Sequence, residues 1–288
     1  MKKIELLSPA GDFETLKMAI NAQADAVYLS GKNYGARKFA KNFTNEELVD
    51  AVKYAHLYGV KIYVTINTII YESEISDFLD YVLFLHEIGV DAVIMQDIGM
   101  IKLVREILPN LEIHASTQCH VHNNEGLELL KSLGVKRAVL ARELSIGEIE
   151  KMECDIEKEV FIHGALCLSY SGQCYFSKFH GGRSGNRGEC AGVCRLPYQL
   201  LENNNIVKTE GNYLLSMKDL CTIDLIKDLI KIGVTSLKIE GRMKSPAYVY
   251  YVTKVYRTII DNYYQNKDTL IDKTRIFNLK VLFNREFT

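Results

Sequence analysis

The chain has 288 residues, of which 48% are hydrophobic, enough to build the core of a full-sized domain. Its formal net charge of −1 gives no global basic surface of the kind that binds nucleic acid or anionic membranes, so any RNA contact must come from a local patch. The start, MKKIELLSPAGDF, reaches a proline before any apolar run long enough for a signal peptide, and no apolar stretch approaches a membrane span. These features predict a soluble cytoplasmic protein with no membrane partner.

Short apolar runs alternate with amphipathic segments along most of the chain. The pattern predicts eight strands, at Ile4–Ser8, Ala26–Leu29, Lys61–Ile66, Ala92–Met95, Glu112–Ala115, Arg137–Leu140, Glu159–His163 and Ser236–Glu240. A glycine that would end a helix stands just before four of these strands, at Gly59, Gly89, Gly134 and Gly233. Eight strand–helix units favour an α/β fold, a (β/α)8 TIM-like barrel, over a doubly wound open sheet.

The predicted barrel domain spans residues 1–264 and has a cysteine-rich insertion at 165–212, after the seventh strand. Long loops at the carboxyl ends of barrel strands usually carry function. Ser245–Tyr264 reads as one long helix with Pro246 in its first turn. Residues 265–288 form a C-terminal extension in which Leu279–Phe283 resembles a lone strand, the start of a small β domain that is truncated or absent here.

Four of the seven cysteines lie in the insertion, at Cys167, Cys174, Cys190 and Cys194, with spacing C-x6-C-x15-C-x3-C. A reducing compartment disfavours disulfides, so this cluster predicts thiolate-bound metal. Zinc sites usually pair their cysteines tightly, whereas iron–sulfur clusters accept irregular spacing, and the residues alone leave zinc open as the alternative. The other cysteines, Cys119, Cys154 and Cys221, lie in or beside apolar segments and are expected to be buried hydrophobic side chains.

Polar side chains follow most of the predicted strands, where a barrel places its active site. Candidates for hydrogen bonding a substrate are Asn67, Gln96, Asp97, Ser116, Thr117 and Gln118. Asp12, after the first strand, is better explained as the cap of the next helix.

Charged residues follow the sixth strand, at Arg142, and occupy the eighth strand and its exit, at Lys238, Glu240 and Arg242. Strand alternation puts the last three on one side, where they form either a structural ion-pair network or a site for a charged ligand. His163 ends the seventh strand and is a candidate for proton transfer, with a structural hydrogen bond as the alternative, whereas His114 reads as a core histidine.

The insertion also carries a local basic patch that consists of Lys178, His180, Arg183, Arg187 and Arg195. Its aromatic neighbours are Tyr170, Tyr175, Phe176 and Phe179. The patch either offsets the negative charge of thiolates or grips RNA phosphates while the rings stack on bases, and loop packing explains the rings equally well.

One run in the insertion is specific enough to indicate a family. Glu159-x-Phe161-x-x-Gly164-Ala165-Leu166-Cys167-x4-Gly172-x-Cys174-x-x-Ser177 resembles the signature of peptidase family U32, long labelled collagenase-like proteases. Phe176 stands where that signature usually has an aliphatic residue, which alters no candidate ligand. The segments Lys238–Ser245 and Phe283-Asn284-Arg285 also resemble later motifs of the family, so the resemblance covers nearly the whole chain.

The resemblance implies an iron–sulfur-dependent, oxygen-independent hydroxylase of RNA. Its closest branch hydroxylates the wobble uridine of tRNA at carbon 5 with prephenate as co-substrate. It implies a [4Fe–4S] cluster on Cys167, Cys174, Cys190 and Cys194, with tRNA or another RNA as partner and a longer paralogue as a further candidate partner. The polar residues then divide into a catalytic set, His163, Glu240 and Arg242, and a substrate-binding set, Asn67, Gln118, Arg142 and Lys238. Arginines suit the carboxylates of such a co-substrate through bidentate bonds.

Two other functions compete with this prediction. The older family label implies a peptidase with cysteine- or metal-dependent hydrolysis, although the sequence contains neither a G-x-S-x-G elbow nor an H-E-x-x-H helix. A cysteine nucleophile beside His163 would still serve, but a metal-binding loop does not leave one thiolate free for acyl transfer. The third hypothesis is a zinc-stabilised RNA-binding or scaffold protein.

Overall fold

A closed barrel of eight parallel strands forms the body of the protein in the computed structural model, which describes residues 3–267, 273–282 and 285–288. The barrel strands are β1 (Glu5–Pro9), β2 (Ala26–Leu29), β3 (Lys61–Thr65), β4 (Ala92–Met95), β5 (Ile113–Ala115), β6 (Arg137–Val139), β7 (Glu157–Ala165) and β11 (Ser236–Ile239). Strands β1 to β7 pair in sequence, and β11 closes the ring between β7 and β1. All eight predicted strands and the (β/α)8 fold are confirmed.

Helices cover the outside of the barrel, except for one short helix in the cysteine insertion. They are α1 (Phe13–Asn21), α2 (Asn45–Leu57), α3 (Ile75–Glu87), α4 (Ile98–Ile107), α5 (Asn124–Ser132), α6 (Ile146–Glu150), α7 (Phe176–Gly181), α8 (Ile226–Lys231), α9 (Pro246–Tyr264) and α10 (Lys273–Leu282). Ser245 caps α9 through its hydroxyl and Pro246 occupies the first turn, as predicted. The four glycines before strands all have positive φ, which the left-handed end of a helix requires. No helix in the described part of the chain has both the length and the apolar composition to cross a membrane.

The barrel interior is charged at the amino ends of its strands. Arg137 lies at the centre, with Nη1 2.5 Å from Glu5 Oε1 and 3.2 Å from Glu159 Oε2, and with Nη2 2.8 Å from Glu157 Oε2. Lys238 Nζ lies 2.8 Å from the other oxygen of Glu159. Burial alone would raise the pKa of Glu159, but Lys238 and Arg137 outweigh it and lower that pKa to about 2. This network fills space that aliphatic side chains fill in many barrels.

The chain between β7 and α8 leaves the barrel and returns to it. The excursion contains α7 and a hairpin, β8 (Leu201–Glu202) with β9 (Asn205–Ile206), and it ends at β10 (Asp219–Cys221), which pairs antiparallel with β7. The turn between β8 and β9 uses Asn203 and Asn204, both with positive φ, as tight hairpin turns require. The sequence prediction contained neither the hairpin nor β10, although consecutive asparagines are a turn signal.

The prediction of a lone strand at Leu279–Phe283 is wrong for Leu279–Leu282, the residues of this segment that the structure describes. Residues up to Leu282 belong to helix α10, and Phe283 and Asn284 lie outside the described residues. Leu279 is fully buried, while Phe277 and Val281 are mostly exposed, so alternating residues do not share one buried face. The helix docks on α9, where Asn278 Nδ2 donates to Tyr251 Oη at 3.1 Å.

Candidate active site

A polar cavity of about 120 Å³ opens at the carboxyl ends of the barrel strands, beneath the cysteine insertion. By volume it holds roughly ten water-sized positions, the scale of a small metabolite. Strands, their following loops and the insertion all contribute to its wall. Polar and aromatic lining residues are Tyr28, Arg37, Thr65, Asn67, Ser116, Thr117, Gln118, Arg142, Phe161, Ser171, Lys238, Glu240 and Arg242, together with Cys167, Cys174 and Cys190. Six of the seven predicted catalytic and substrate-binding residues therefore meet in one place.

Three arginines surround Glu240 in this cavity. Arg37 Nη2 lies 3.4 Å from Glu240 Oε1, and Arg242 Nη1 donates to Thr65 Oγ1 at 3.0 Å. Arg142 Nη1 donates to the carbonyl oxygen of Ala165 at 2.8 Å. Because Arg142 also stacks over Phe161, with its guanidinium carbon 4.5 Å from the ring centre, its orientation is fixed from two sides.

The three guanidinium groups control the charge state of Glu240. Burial would raise the pKa of this carboxyl, but Arg37, Arg142 and Arg242 lower it below its ordinary value. Burial lowers the pKa of Arg242 to about 10. At neutral pH the cavity thus contains an ionised carboxylate among three cations.

Lys238 belongs to the floor of the cavity. Its ammonium group pairs with Glu159 and lies 4.5 Å from the centre of the Tyr28 ring. It lines the cavity as the predicted substrate-binding role requires, but its charge is already matched inside the barrel. The sequence left a structural network and ligand binding open for this residue, and the geometry supports the network.

The side-chain amides form a hydrogen-bonded layer on one wall. Asn67 Nδ2 donates to Gln118 Oε1 at 2.8 Å and to Ser116 Oγ at 3.3 Å, while Asn67 Oδ1 accepts from the backbone N–H of Ala36 at 3.1 Å. Gln96 does not line the cavity, and its Nε2 donates to the carbonyl oxygen of Asn67 at 2.8 Å. The layer fixes Gln118 with its amide nitrogen toward the insertion, against Gly172.

The four insertion cysteines come together at the mouth. All are free thiols, and Cys167, Cys174 and Cys190 line the cavity. Burial raises the pKa of the Cys194 thiol, and the charges of Cys167, Cys190 and Cys174 raise it further against the opposing effect of Arg195, so all four thiols share one electrostatic environment.

The thiols have the chemistry that an iron–sulfur cluster requires. Backbone N–H groups of Phe176 and Gly192 donate to Cys174 Sγ and Cys190 Sγ, each at 3.4 Å. Hydrogen bonds to cysteine sulfur are one means by which proteins stabilise and tune such clusters. Among the residues that the structure describes, no group of three or more His, Cys, Asp or Glu side chains is placed to hold a metal ion.

His163 does not reach the cavity. The pairing of β7 with β11 shifts register here: Lys238 pairs with Phe161, but Ile239 pairs with His163. The extra residue is a β-bulge, which directs Phe161 inward and His163 outward. His163 Nδ1 lies 3.2 Å from Tyr256 Oη, and burial lowers the pKa of its imidazole to about 4. This environment fits a structural role for His163 and not the predicted catalytic one.

Comparison with known proteins identifies the family. The sequence pattern of Peptidase family U32 matches residues 11–288. The chain belongs to this family. The U32 chain is 42% identical over 294 residues to tRNA hydroxylation protein P1 of Bacillus subtilis strain 168, with 99% of this chain and 70% of the relative covered.

Two further comparisons concern function and fold. The U32 chain is 44% identical over 261 residues to the 23S rRNA 5-hydroxycytidine C2501 synthase of Escherichia coli strain K12, with 90% of this chain but only 39% of the relative covered. The solved structure of the U32 peptidase Mk0906 shares its fold, with a TM-score of 0.55 and 13% identity over 83% of this chain and 93% of that one.

The insertion of this U32 chain is fixed to the barrel by pairs of charges. Arg187 Nη2 lies 2.5 Å from Glu74 Oε1, and Lys38 Nζ lies 2.6 Å from Glu189 Oε1. Gly188 packs against the loop after β2 with φ of +78°, and a Cβ there would lie 2.4 Å from the carbonyl oxygen of Gly35. Only glycine permits this approach.

The basic patch predicted in the insertion is largely engaged in internal contacts. Arg187 pairs with Glu74, and Arg183 Nε donates to the carbonyl oxygen of Glu189 at 3.0 Å. Arg195 bonds Ser216 Oγ at 2.8 Å together with the backbone oxygens of Leu166 and Met217. Lys178 and His180 remain as exposed members of the patch.

Sequence reasoning missed Arg37. It lies in the loop of residues 30–44 between β2 and α2, far from any candidate motif. That loop is longer than most strand-to-helix loops and contains Lys32, Arg37, Lys38 and Lys41, which was the available signal.

Proposed function

We propose that this U32 chain hydroxylates a pyrimidine base of RNA without molecular oxygen, with prephenate as the oxygen donor. We assign the wobble uridine of tRNA as the target, because the B. subtilis relative is named a tRNA hydroxylation protein and aligns with nearly the whole chain. This chain covers only 39% of the length of the rRNA synthase from E. coli, so rRNA is the weaker assignment. The observation that carries the proposal is one cavity lined by three arginines and three cysteines.

The charge of the cavity suits a dicarboxylate. Arg37, Arg142 and Arg242 supply three positive charges against the single carboxylate of Glu240, while Lys238 is neutralised by Glu159. Buried charges are costly unless they are paired, so the two unmatched cations favour a ligand with two negative charges. Prephenate carries two carboxylates, and planar guanidinium groups bind carboxylates through paired hydrogen bonds.

The arginines are held ready for such a ligand. Thr65 fixes Arg242, and the Ala165 carbonyl fixes Arg142, so neither side chain must be ordered on binding. Arg142 Nε is buried and has no hydrogen-bond partner among the described residues. A ligand carboxylate would satisfy this N–H, whose unpaired burial otherwise costs free energy. Glu240, ionised at neutral pH, would orient Arg37 and accept a proton from the reacting molecules.

We further propose that Cys167, Cys174, Cys190 and Cys194 hold a [4Fe–4S] cluster. Once bound, such a cluster would supply one-electron chemistry beside the cavity. The chain's own contribution is to keep the thiols in place: Ser177 Oγ lies 3.9 Å from Cys190 Sγ and accepts from the backbone N–H of Ala191 at 3.0 Å. Zinc is the alternative, but the C-x6-C-x15-C-x3-C spacing differs from the closely spaced cysteine pairs of most zinc sites.

The peptidase alternative finds less support in the geometry. A cysteine peptidase needs a histidine within hydrogen-bond reach of the thiol. His163 faces α9, and no histidine of the described chain lines the cavity beside the cysteines. The family name alone therefore gives no reason to assign peptide hydrolysis.

Mass spectrometry of nucleosides tests the proposed reaction. The chain, purified without oxygen, is incubated with unmodified tRNA and with prephenate that carries isotopically labelled oxygen. We expect labelled 5-hydroxyuridine in the tRNA digest and its absence when prephenate is omitted. The Cys167→Ala/Cys174→Ala variant should be inactive, and Lys53→Ala, an exposed substitution on α2, should match the wild type.

Metal analysis separates the alternatives. About four irons and four sulfides per chain, lost in the double cysteine variant, are expected of a bound cluster. Zinc in place of iron, with no hydroxylated nucleoside formed, would refute the hydroxylase proposal and favour a zinc-stabilised RNA-binding or scaffold protein. Thiol-dependent cleavage of a peptide, with no hydroxylated nucleoside formed, would support the peptidase hypothesis instead.

A further inference from the structure

A second pocket lies on the outer side of the cysteines. It encloses about 280 Å³ and shares Gly172 and Cys174 with the polar cavity, so one turn of the insertion forms the wall between them. Gly172 packs so closely on the cavity side that a Cβ would lie 2.4 Å from Gln118 Nε2. The two spaces therefore adjoin at Gly172 and Cys174, beside the candidate metal centre.

The two spaces suit ligands of different size. The inner cavity holds roughly ten water-sized positions, and the outer pocket roughly twenty, which is the scale of a nucleoside. A base within a polynucleotide reaches a buried reaction centre only when it leaves the stack and enters a pocket. The inner cavity, which we assign to the co-substrate, leaves no room for that base.

The outer pocket has the side chains that bind single-stranded nucleic acid. Tyr71 and Tyr175 are mostly exposed aromatic rings on its rim, and Lys178 and Arg187 give it positive charge, while no carboxylate lines it in the described chain. Gln173 and Asn186 add amide groups suited to the edge of a base.

Arg187 and Lys178 differ in whether they are available to bind a ligand. Arg187 is bonded to Glu74 and stacks 4.5 Å over the Tyr71 ring, so it forms a fixed wall. Lys178 is exposed and has no ion-pair partner among the described residues, which leaves its ammonium group for a phosphate. Among the described residues the Tyr175 ring pairs only with the Phe179 ring, at 6.5 Å between ring centres, and it offers a face for stacking.

We propose that this outer pocket is the RNA-binding subsite, in which Tyr175 stacks on a base of single-stranded RNA and Lys178 contacts a neighbouring phosphate. The inference rests on the proposed RNA function and extends it to particular residues. It predicts that the polynucleotide and the small dicarboxylate approach the cysteines from separate openings and do not compete.

Fluorescence anisotropy tests this subsite without any need for turnover. The probe is a fluorescein-labelled, uridine-containing single-stranded RNA of about eight nucleotides, a typical site size for single-strand binding. It is titrated with the full chain purified without oxygen. We expect Tyr175→Ala to weaken binding about tenfold or more, and Tyr175→Phe to stay within about twofold because the ring face is kept. Lys178→Ala should reduce the salt slope of log K by about 0.7, as the loss of one phosphate contact predicts.

Matched controls lie at the opposite end of the barrel. Tyr58 is 60% exposed beside the amino end of β3, and Lys53 is exposed on α2. Tyr58→Ala and Lys53→Ala should bind the probe like the wild type, and circular dichroism should show all variants folded. If Tyr175→Ala also binds like the wild type, or if the wild type fails to bind the probe, the subsite is refuted. Impaired binding in Tyr175→Ala together with no hydroxylation by the wild type would instead refute the proposed reaction and leave the subsite standing.

Discussion

Replacement of Lys238 by methionine decides between a structural and a substrate-binding role for this lysine. The structure places Lys238 Nζ 2.8 Å from Glu159 Oε1, with 5% of the lysine side chain and none of the glutamate side chain exposed. Removal of one partner of a buried ion pair typically costs about 3–5 kcal/mol. Because Arg137 Nη1 still contacts Glu159 at 3.2 Å, we expect the lower part of that range, about 3 kcal/mol. Urea unfolding followed by circular dichroism measures the cost from the midpoint and slope.

A double-mutant cycle tests whether the cost comes from this pair. Glu159→Gln combined with Lys238→Met should destabilise less than the sum of the two single changes, with a coupling energy of about 1–3 kcal/mol. Lys53→Met, an exposed lysine on α2, is the control and should change stability by less than about 0.5 kcal/mol. Stability of Lys238→Met within about 1 kcal/mol of the wild type would refute the structural pair. Lys238 would then be available to bind substrate.

Three more predictions concern the cavity, acid stability and the insertion. Arg242→Lys keeps the charge but loses the planar fork, so we expect the KM for prephenate to rise by about tenfold or more while Tm changes little; an unchanged KM would remove Arg242 from the binding site. The pKa of Glu159 is lowered from 4.5 to about 2, so its contribution, about 3 kcal/mol at most, is present above pH 4.5 and is lost as pH falls toward 2. Urea midpoints at pH 5 and 3 should thus differ more in the wild type than in Glu159→Gln, and equal differences would contradict the lowered pKa. Gly188→Ala should expose the insertion to limited proteolysis, since its Cβ would meet Gly35, whereas Gly185→Ala has only ordinary contacts and should not.

The barrel could be predicted because its strands leave a local signal. Parallel strands that are buried on both faces appear as short apolar runs, and a glycine with positive φ before four of them marks where each helix ends. The C-terminal prediction failed because Leu279–Leu282 is equally apolar over a short length, and only its docking on α9 selects a helix. A short apolar run alone does not distinguish the two structures.

The site was predicted where strand alternation holds and misjudged where it breaks. Alternation correctly placed Lys238, Glu240 and Arg242 on the cavity side of β11. The bulge in β7 turns His163 to the outside of the barrel, where alternation alone would point it inward. Nothing local in the sequence indicates this register shift between β7 and β11. The partner of Lys238 is Glu159, 79 positions away, so the sequence could not show whether that charge was free.

Arg37 shows how the parts of this site depend on one another. The charge of Glu240 raises the pKa of Arg37 against the effect of burial, and the charge of Cys190 raises it further, so this guanidinium faces the barrel site and the cysteine loop at once. Its own loop is fixed by that insertion, because Lys38 pairs with Glu189 and its backbone N–H donates to the carbonyl oxygen of Gly188 at 3.1 Å. A barrel without the insertion would keep Arg142, Glu240 and Arg242 but would lose the support for Arg37. The insertion therefore supplies thiols and also completes the cationic site, which would tie the binding of the proposed anionic co-substrate to the cysteine loop.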